Sequence, residues 1–109
     1  MLLTAGFSQP AGNWERSEAL LKEIEVVIQN QQGLHARPAA QFVRVASRFP
    51  AVELTVMKDS LSVNGKSIIG IMMLAAGPGS RLLIRAVGDQ ADAALQELRA
   101  LIDGKFGEE

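Results

Sequence analysis

The sequence predicts an α+β open-faced sandwich: a four-stranded antiparallel sheet covered on one face by three helices, in the order βαββαβα. Three observations predict it. Apolar residues alternate with polar ones around residues 23–30 and 52–57, and "RLLIRAV" is of strand length and composition. Two other stretches, "ARPAAQFVRVASRF" and "DQADAALQELRALIDG", repeat their apolar residues at helical spacing. A sheet with one apolar face has to bury it, and helices placed between strands in the chain are the economical cover. The 109 residues suit one small domain with one core.

The N-terminal extension is assigned to residues 1–22, the folded domain to residues 23–105 and a tail to residues 106–109. Residues 1 to about 12 hold Gly, Ser, Gln, Pro and Asn without an apolar period, the composition of a flexible arm. "NWERSEALLKE" suits a short helix, with Trp14, Ala19 and Leu20 on a weak apolar side. In "EIEVVIQN", Ile24, Val26 and Ile28 form the inward face of the first strand. The first helix carries Ala39, Phe42, Val43, Ala46 and Phe49 on one stripe, and Pro50 is expected to end it. "VELTVM" alternates again through Val52, Leu54 and Val56; "KDS" turns the chain into "LSVN". "SIIGIMML" is too short for period to decide, but Ser67 is a good N-cap and Met a good helix former. After the turn "GPGS" and the strand "RLLIRAV", the last helix is expected to start at Asp89 as N-cap. It buries Ala93, Leu95, Leu98, Leu101 and Ile102, and stops at Gly104.

Composition narrows the functions. The formal net charge is −1 and charged residues make up 21%, which gives no support for a nucleic-acid partner. The five aromatic residues, Phe7, Trp14, Phe42, Phe49 and Phe106, include no pair placed on a strand for base stacking. Cysteine is absent, so disulfides, thiolate metal sites and thiol redox chemistry are excluded. "MLLTAGFSQP" has no cationic leader, and no apolar run reaches membrane-spanning length. The expectation is a cytoplasmic protein with no membrane insertion, and a monomer on grounds of balanced charge and small size.

His35 is the single histidine, in "GLHARPAA". At the N-cap of the first helix it has the free amides of Ala36 and Arg37 and the positive end of the helix dipole beside it, a geometry that receives anions. Pro38 in the first turn gives up an amide that has no intrahelical acceptor. Arg37 adds planar donors that match phosphate oxygens, and Gly33 permits a sharp turn and leaves room for another protein. A neutral imidazole nitrogen can attack phosphorus, so the stretch supports a histidine that carries a phosphoryl group. The plain alternative is a cap or surface histidine, and spacing alone leaves both open.

"GLHARPA" followed about thirty residues later by "KSIIGIMML" resembles the bacterial phosphocarrier protein family HPr of the phosphoenolpyruvate-dependent phosphotransferase system, with its nitrogen-related paralogues. The likeness runs from about Glu23 to Gly104. It implies that His35 is phosphorylated on Nδ1 by enzyme I and passes the group to an EIIA-type domain. Arg37 would assist the transfer and stabilise the phosphate. Ser67 would be the regulatory site of HPr kinase/phosphorylase in bacteria that have it. It also implies the same open-faced sandwich, and a role as phosphoryl-transfer intermediate more than as an enzyme in its own right. No cofactor or metal is called for, since one histidine without cysteine neighbours is a poor metal site. In the family the position of Gly65 commonly holds a larger residue; a glycine would loosen the approach to Ser67 and weaken kinase recognition.

Ser67 has a structural role available as N-cap of the second helix, and a phosphate there would add charge at a favourable helix end. Of Ile68, Ile69, Ile71, Met72, Met73 and Leu74, about half belong in the core. Helical position and the likeness assign Ile68, Ile69 and Met72 to an exposed docking patch, with Ala36, Ala40 and Arg44 of the first helix as further partner contacts and Arg48 beside them. "NGKS" ends like a phosphate-binding P-loop, but Ser60 stands where that pattern needs a glycine. Three classes therefore stand: a phosphocarrier using His35, a regulatory HPr-like module of nitrogen or other type acting by protein binding, and an unrelated α+β interaction domain.

Overall fold

The computed structural model describes residues 20–108. The expected arm and the helix over "NWERSEALLKE" lie outside the described residues, apart from the helix's last few positions. The order is β1 (Leu21–Val27), α1 (Ala36–Ala46), β2 (Glu53–Lys58), β3 (Leu61–Asn64), α2 (Ile68–Met73), β4 (Arg81–Val87) and α3 (Ala91–Asp103). A short 3-10 turn, Lys105–Gly107, follows. The four strands form one antiparallel sheet in the order β1-β4-β2-β3. This is the expected open-faced sandwich.

Register explains the single core. Val26 pairs with Leu82 and Ile24 with Ile84, while Val56 pairs with Ile84 and Leu54 with Ala86. Residues directly opposite share a face, so these apolar side chains project together toward the helices. On the other face Glu23 and Glu25 meet Arg85 and Arg81, at 2.7 and 3.7 Å. The helices supply Ala39, Phe42 and Ala46 from α1, Ile71 from α2, and Ala94, Leu95, Leu98 and Ile102 from α3, all buried. Each fully buried large apolar side chain is worth about 1.5–3 kcal/mol.

Several boundaries differ from expectation, each for a local reason. β1 begins at Leu21, two residues inside the assigned extension, because β4 is long enough to pair with it as far as Val87. α1 ends at Ala46 and not at Pro50. The chain tightens there through i→i+3 bonds from Arg48 to Val45 and from Phe49 to Ala46, and Phe49 is buried beyond the helix end. Gln90, not Asp89, is the N-cap of α3, and its side chain makes no capping bond. Ala93 is exposed while Ala94 is buried, since Ala94 falls on the stripe through Ala91, Leu98 and Ile102. Within the assigned tail, Phe106 is 2% exposed and packs into the core. Among the described residues no helix is long and apolar enough to cross a membrane.

Candidate functional site

The segment from Ile28 to His35 is sewn to the loop before β4. Ile28 N donates to Ser80 O at 2.9 Å, Gly79 N to Ile28 O at 2.7 Å, and Leu34 N to Ala76 O at 2.9 Å. Gly33 sits at φ 67°, and a Cβ there would collide with the Ala76 carbonyl oxygen. The close approach that demands glycine is thus made by the chain's own loop. Gly33 is buried, which corrects the expectation that it leaves room for another protein. Leu34 is buried as an anchor, and the next residue, His35, emerges at the surface.

His35 is the N-cap of α1, in an extended conformation, and its side chain makes no capping bond. The first helical bond of the turn runs from Ala39 N to His35 O at 3.0 Å. Ala36 and Arg37 therefore precede any intrahelical acceptor, and Pro38, buried, has no amide to place. The imidazole is about half-buried, with 36% of its side chain accessible. Arg37 is exposed and lines one shallow depression with Gln31, Gln32, His35, Gly107 and Glu108. The site is open enough for a second protein to reach the ring.

One partner of the histidine was not legible in the motifs. Glu108 brings its carboxylate to His35 Nε2, with Oε2 at 3.1 Å and Oε1 at 3.3 Å. Three successive residues in the left-handed region deliver it: Lys105 at φ 57°, Phe106 at φ 57° and Gly107 at φ 74°. For the two non-glycine residues this costs roughly 1–2 kcal/mol each, offset by the burial of Phe106. An isolated phenylalanine just past the glycine that ends α3 was the one available signal that the chain turns back.

Ser67 is the N-cap of α2, and its Oγ accepts a hydrogen bond from Gly70 N at 3.0 Å. Gly65 does not loosen the approach to it. Gly65 N donates to Leu54 O at 2.8 Å, and a Cβ at Gly65 would lie 2.8 Å from Leu54 Cβ, so the glycine lets this turn lie directly on β2. On α2, Ile71 and the following Leu74 are buried, while Ile68, Ile69 and Met72 are exposed as expected. Met73 joins them, and at 63% it is second only to Ile69 at 72%. α1 touches α2, and Ala36, Ala40 and Arg44 lie at or near its surface. Arg48 instead reaches across to Glu97 of α3, at 2.8 Å.

The fold agrees with the comparisons. The family described as "PTS HPr component phosphorylation site" matches residues 22–104. The chain belongs to the HPr family. It is 46% identical over 85 residues to the phosphocarrier protein HPr of Pseudomonas aeruginosa, an alignment spanning 78% of this chain and 94% of that protein. It is also 40% identical over 86 residues to the phosphocarrier protein NPr of Shewanella violacea, spanning 79% and 93%. Among solved structures, HPr from Thermoanaerobacter tengcongensis superposes with a TM-score of 0.76 at 48% identity, covering 81% of this chain and 98% of that one. Membership supports a phosphocarrier role in the phosphotransferase system. The family match ends at residue 104, before Glu108.

Proposed function

We propose that this HPr-family chain accepts a phosphoryl group on His35 from phospho-enzyme I and passes it to an EIIA-type domain. The observation that carries the reading is the half-exposed imidazole at the head of α1, beside two amides with no intrahelical acceptor and the exposed Arg37. Two amides and one exposed guanidinium stabilise a bound phosphoryl group without enclosing it, so it can leave again. The exposed Ile68, Ile69 and Met72, with Ala36, Ala40 and Arg44, form the surface that both partners would use in turn. The reading places the carrier in the cytoplasm, as a monomer, with no cofactor and with protein rather than nucleic-acid partners.

Ser67 is the regulatory site in this reading. A phosphate there would sit at the start of α2 and set negative charge beside the apolar surface, repelling acidic partners while sparing the helix. HPr kinase/phosphorylase is the modifying enzyme it would need. The likeness to both an HPr and an NPr keeps a nitrogen-type or purely regulatory branch as the second reading.

The test is incubation of the purified chain with phosphoenolpyruvate, Mg²⁺ and a bacterial enzyme I, followed by intact-mass analysis before and after acid treatment. One acid-labile phosphoryl group, absent from His35→Ala, is expected. No gain, with enzyme I active on another carrier, would shift the function to protein binding alone. Transfer from the charged carrier to sugar-type or nitrogen-type EIIA then assigns the branch.

A further inference from the structure

Apolar exposure in this chain is concentrated on one short helix. Of the seven large apolar side chains exposed among the described residues, four are on α2: Ile68, Ile69, Met72 and Met73. Residues four apart on a helix are neighbours, so Met72 lies beside Ile68 and Met73 beside Ile69. Ile71 and the following Leu74 face the other way and are at most 2% exposed. The helix is anchored through them and through the Ser67 cap, so the chemistry of its two methionines is separable from what holds the fold.

Sulfur chemistry singles these two out. The chain has no cysteine, and its four methionines are its only sulfur. Met73 is 63% and Met72 41% exposed, whereas Met57 is half-buried on β2 and Met1 lies outside the described residues. A reduced methionine is apolar, unbranched and polarisable, which suits a surface that fits two different partners in turn. Its sulfoxide is polar and chiral, with an oxygen that calls for a hydrogen-bond donor. We propose that Met72 and Met73 are a reversible oxidation site for peroxides, and that their sulfoxides close the docking surface. The proposal rests on the reading of that surface as the one enzyme I and the EIIA-type domain use.

In the oxidising step a sulfur lone pair attacks one oxygen of hydrogen peroxide, the O–O bond breaks and a sulfur–oxygen bond forms. Sulfur gives up two electrons, and the other oxygen leaves as water once the protons are shared out. A dithiol-dependent sulfoxide reductase reverses this: the dithiol becomes a disulfide, and the sulfoxide oxygen leaves as water. The penalty arises on docking and not in the free protein. In solution the sulfoxide oxygen is hydrated, but against an apolar partner face it loses that water and gains no donor in exchange. With one sulfoxide beside Ile68 and the other beside Ile69, neither half of the patch stays apolar.

The experiment treats the purified chain with hydrogen peroxide, locates the added oxygen by peptide mass mapping, and measures binding to enzyme I by titration calorimetry, with thermal melting as the check on the fold. Met73 and Met72 should take up oxygen before Met57, the melting temperature should hold, and Kd should rise about tenfold. Sulfoxide reductases for both epimers should restore the starting Kd. A double variant, Met72→Leu with Met73→Leu, keeps apolar volume without a thioether, and its own Kd should be the same before and after peroxide. Oxidation of Met57 ahead of both, loss of the fold, or a weakening shared by the double variant each overturn the proposal. If the untreated chain binds enzyme I and full oxidation of Met72 and Met73 leaves Kd unmoved, the proposal alone falls. If the untreated chain does not bind an active enzyme I, the reading of the docking surface falls and takes the proposal with it.

Discussion

His35 Nε2 and Glu108 Oε2 lie 3.1 Å apart, joining the first residue of the first helix's cap to one 73 positions further along the chain. The contact ties the candidate site to the turn that carries Phe106. Its strength therefore depends on how firmly that turn is docked.

Phe106→Ala measures this directly. Truncating a core phenylalanine such as Phe42 costs about 3–5 kcal/mol. Here the turn can detach and release the strain at Lys105 and Phe106, so the expected loss is smaller, about 1–2 kcal/mol, or a fall in Tm of roughly 4–16 °C. Urea denaturation of the two alanine variants side by side checks the difference. Equal losses would show that the turn cannot come away on its own.

Ile69→Glu should separate docking from folding. At 72% exposure the side chain contributes little to the core, and the change in stability should stay within about 0.5 kcal/mol. Binding to enzyme I, followed by titration calorimetry, should weaken. Ile71→Ala, two residues further along the helix and fully buried, should instead cost about 2–5 kcal/mol. Unfolding of Ile69→Glu would mean that the patch belongs to the core.

At Ser67 the cap and the charge can be told apart. Ser67→Ala removes the acceptor for Gly70 N and should cost about 1 kcal/mol. Ser67→Asp keeps an acceptor and adds negative charge at the start of α2, so its melting temperature should match or exceed that of the alanine variant. Its phosphorylation by enzyme I should be slower than wild type. Equal initial rates would remove Ser67 from the regulatory role.

Gly65→Ala tests the packing that replaces the expected looseness. The new methyl would stand 2.8 Å from Leu54 Cβ, a contact that forces either β2 or the turn to shift. Overpacking of this kind costs about 1–3 kcal/mol. Thermal melting reads it, and a variant as stable as wild type would show that the turn relaxes freely.

The elements were legible wherever a period was at work. The alternation of Val52, Leu54 and Val56, and the stripe of Ala39, Phe42 and Ala46, each reflect one buried face and stand in the structure as read. Ser67 was legible as a cap because capping is local chemistry, and His35 as the residue before the helix because Pro38 marks the first turn. Misreadings came where a neighbour distant in sequence decides. The end of α1 depends on how Phe49 packs, the place of Gly33 on the Ala76 carbonyl, and the direction of Arg48 on Glu97. Glu108 was illegible for the same reason: three left-handed residues form no period, and the residue they deliver has no motif around it.

The left-handed turn also orders events during synthesis. His35, Arg37 and the whole of α1 emerge early, yet the acidic partner of the imidazole is held in place only once α3 has docked and Phe106 has entered the core. A nascent chain would display the motif before the carboxylate reaches the ring. The 3.1 Å contact between imidazole and carboxylate forms only after the turn through Phe106 has closed.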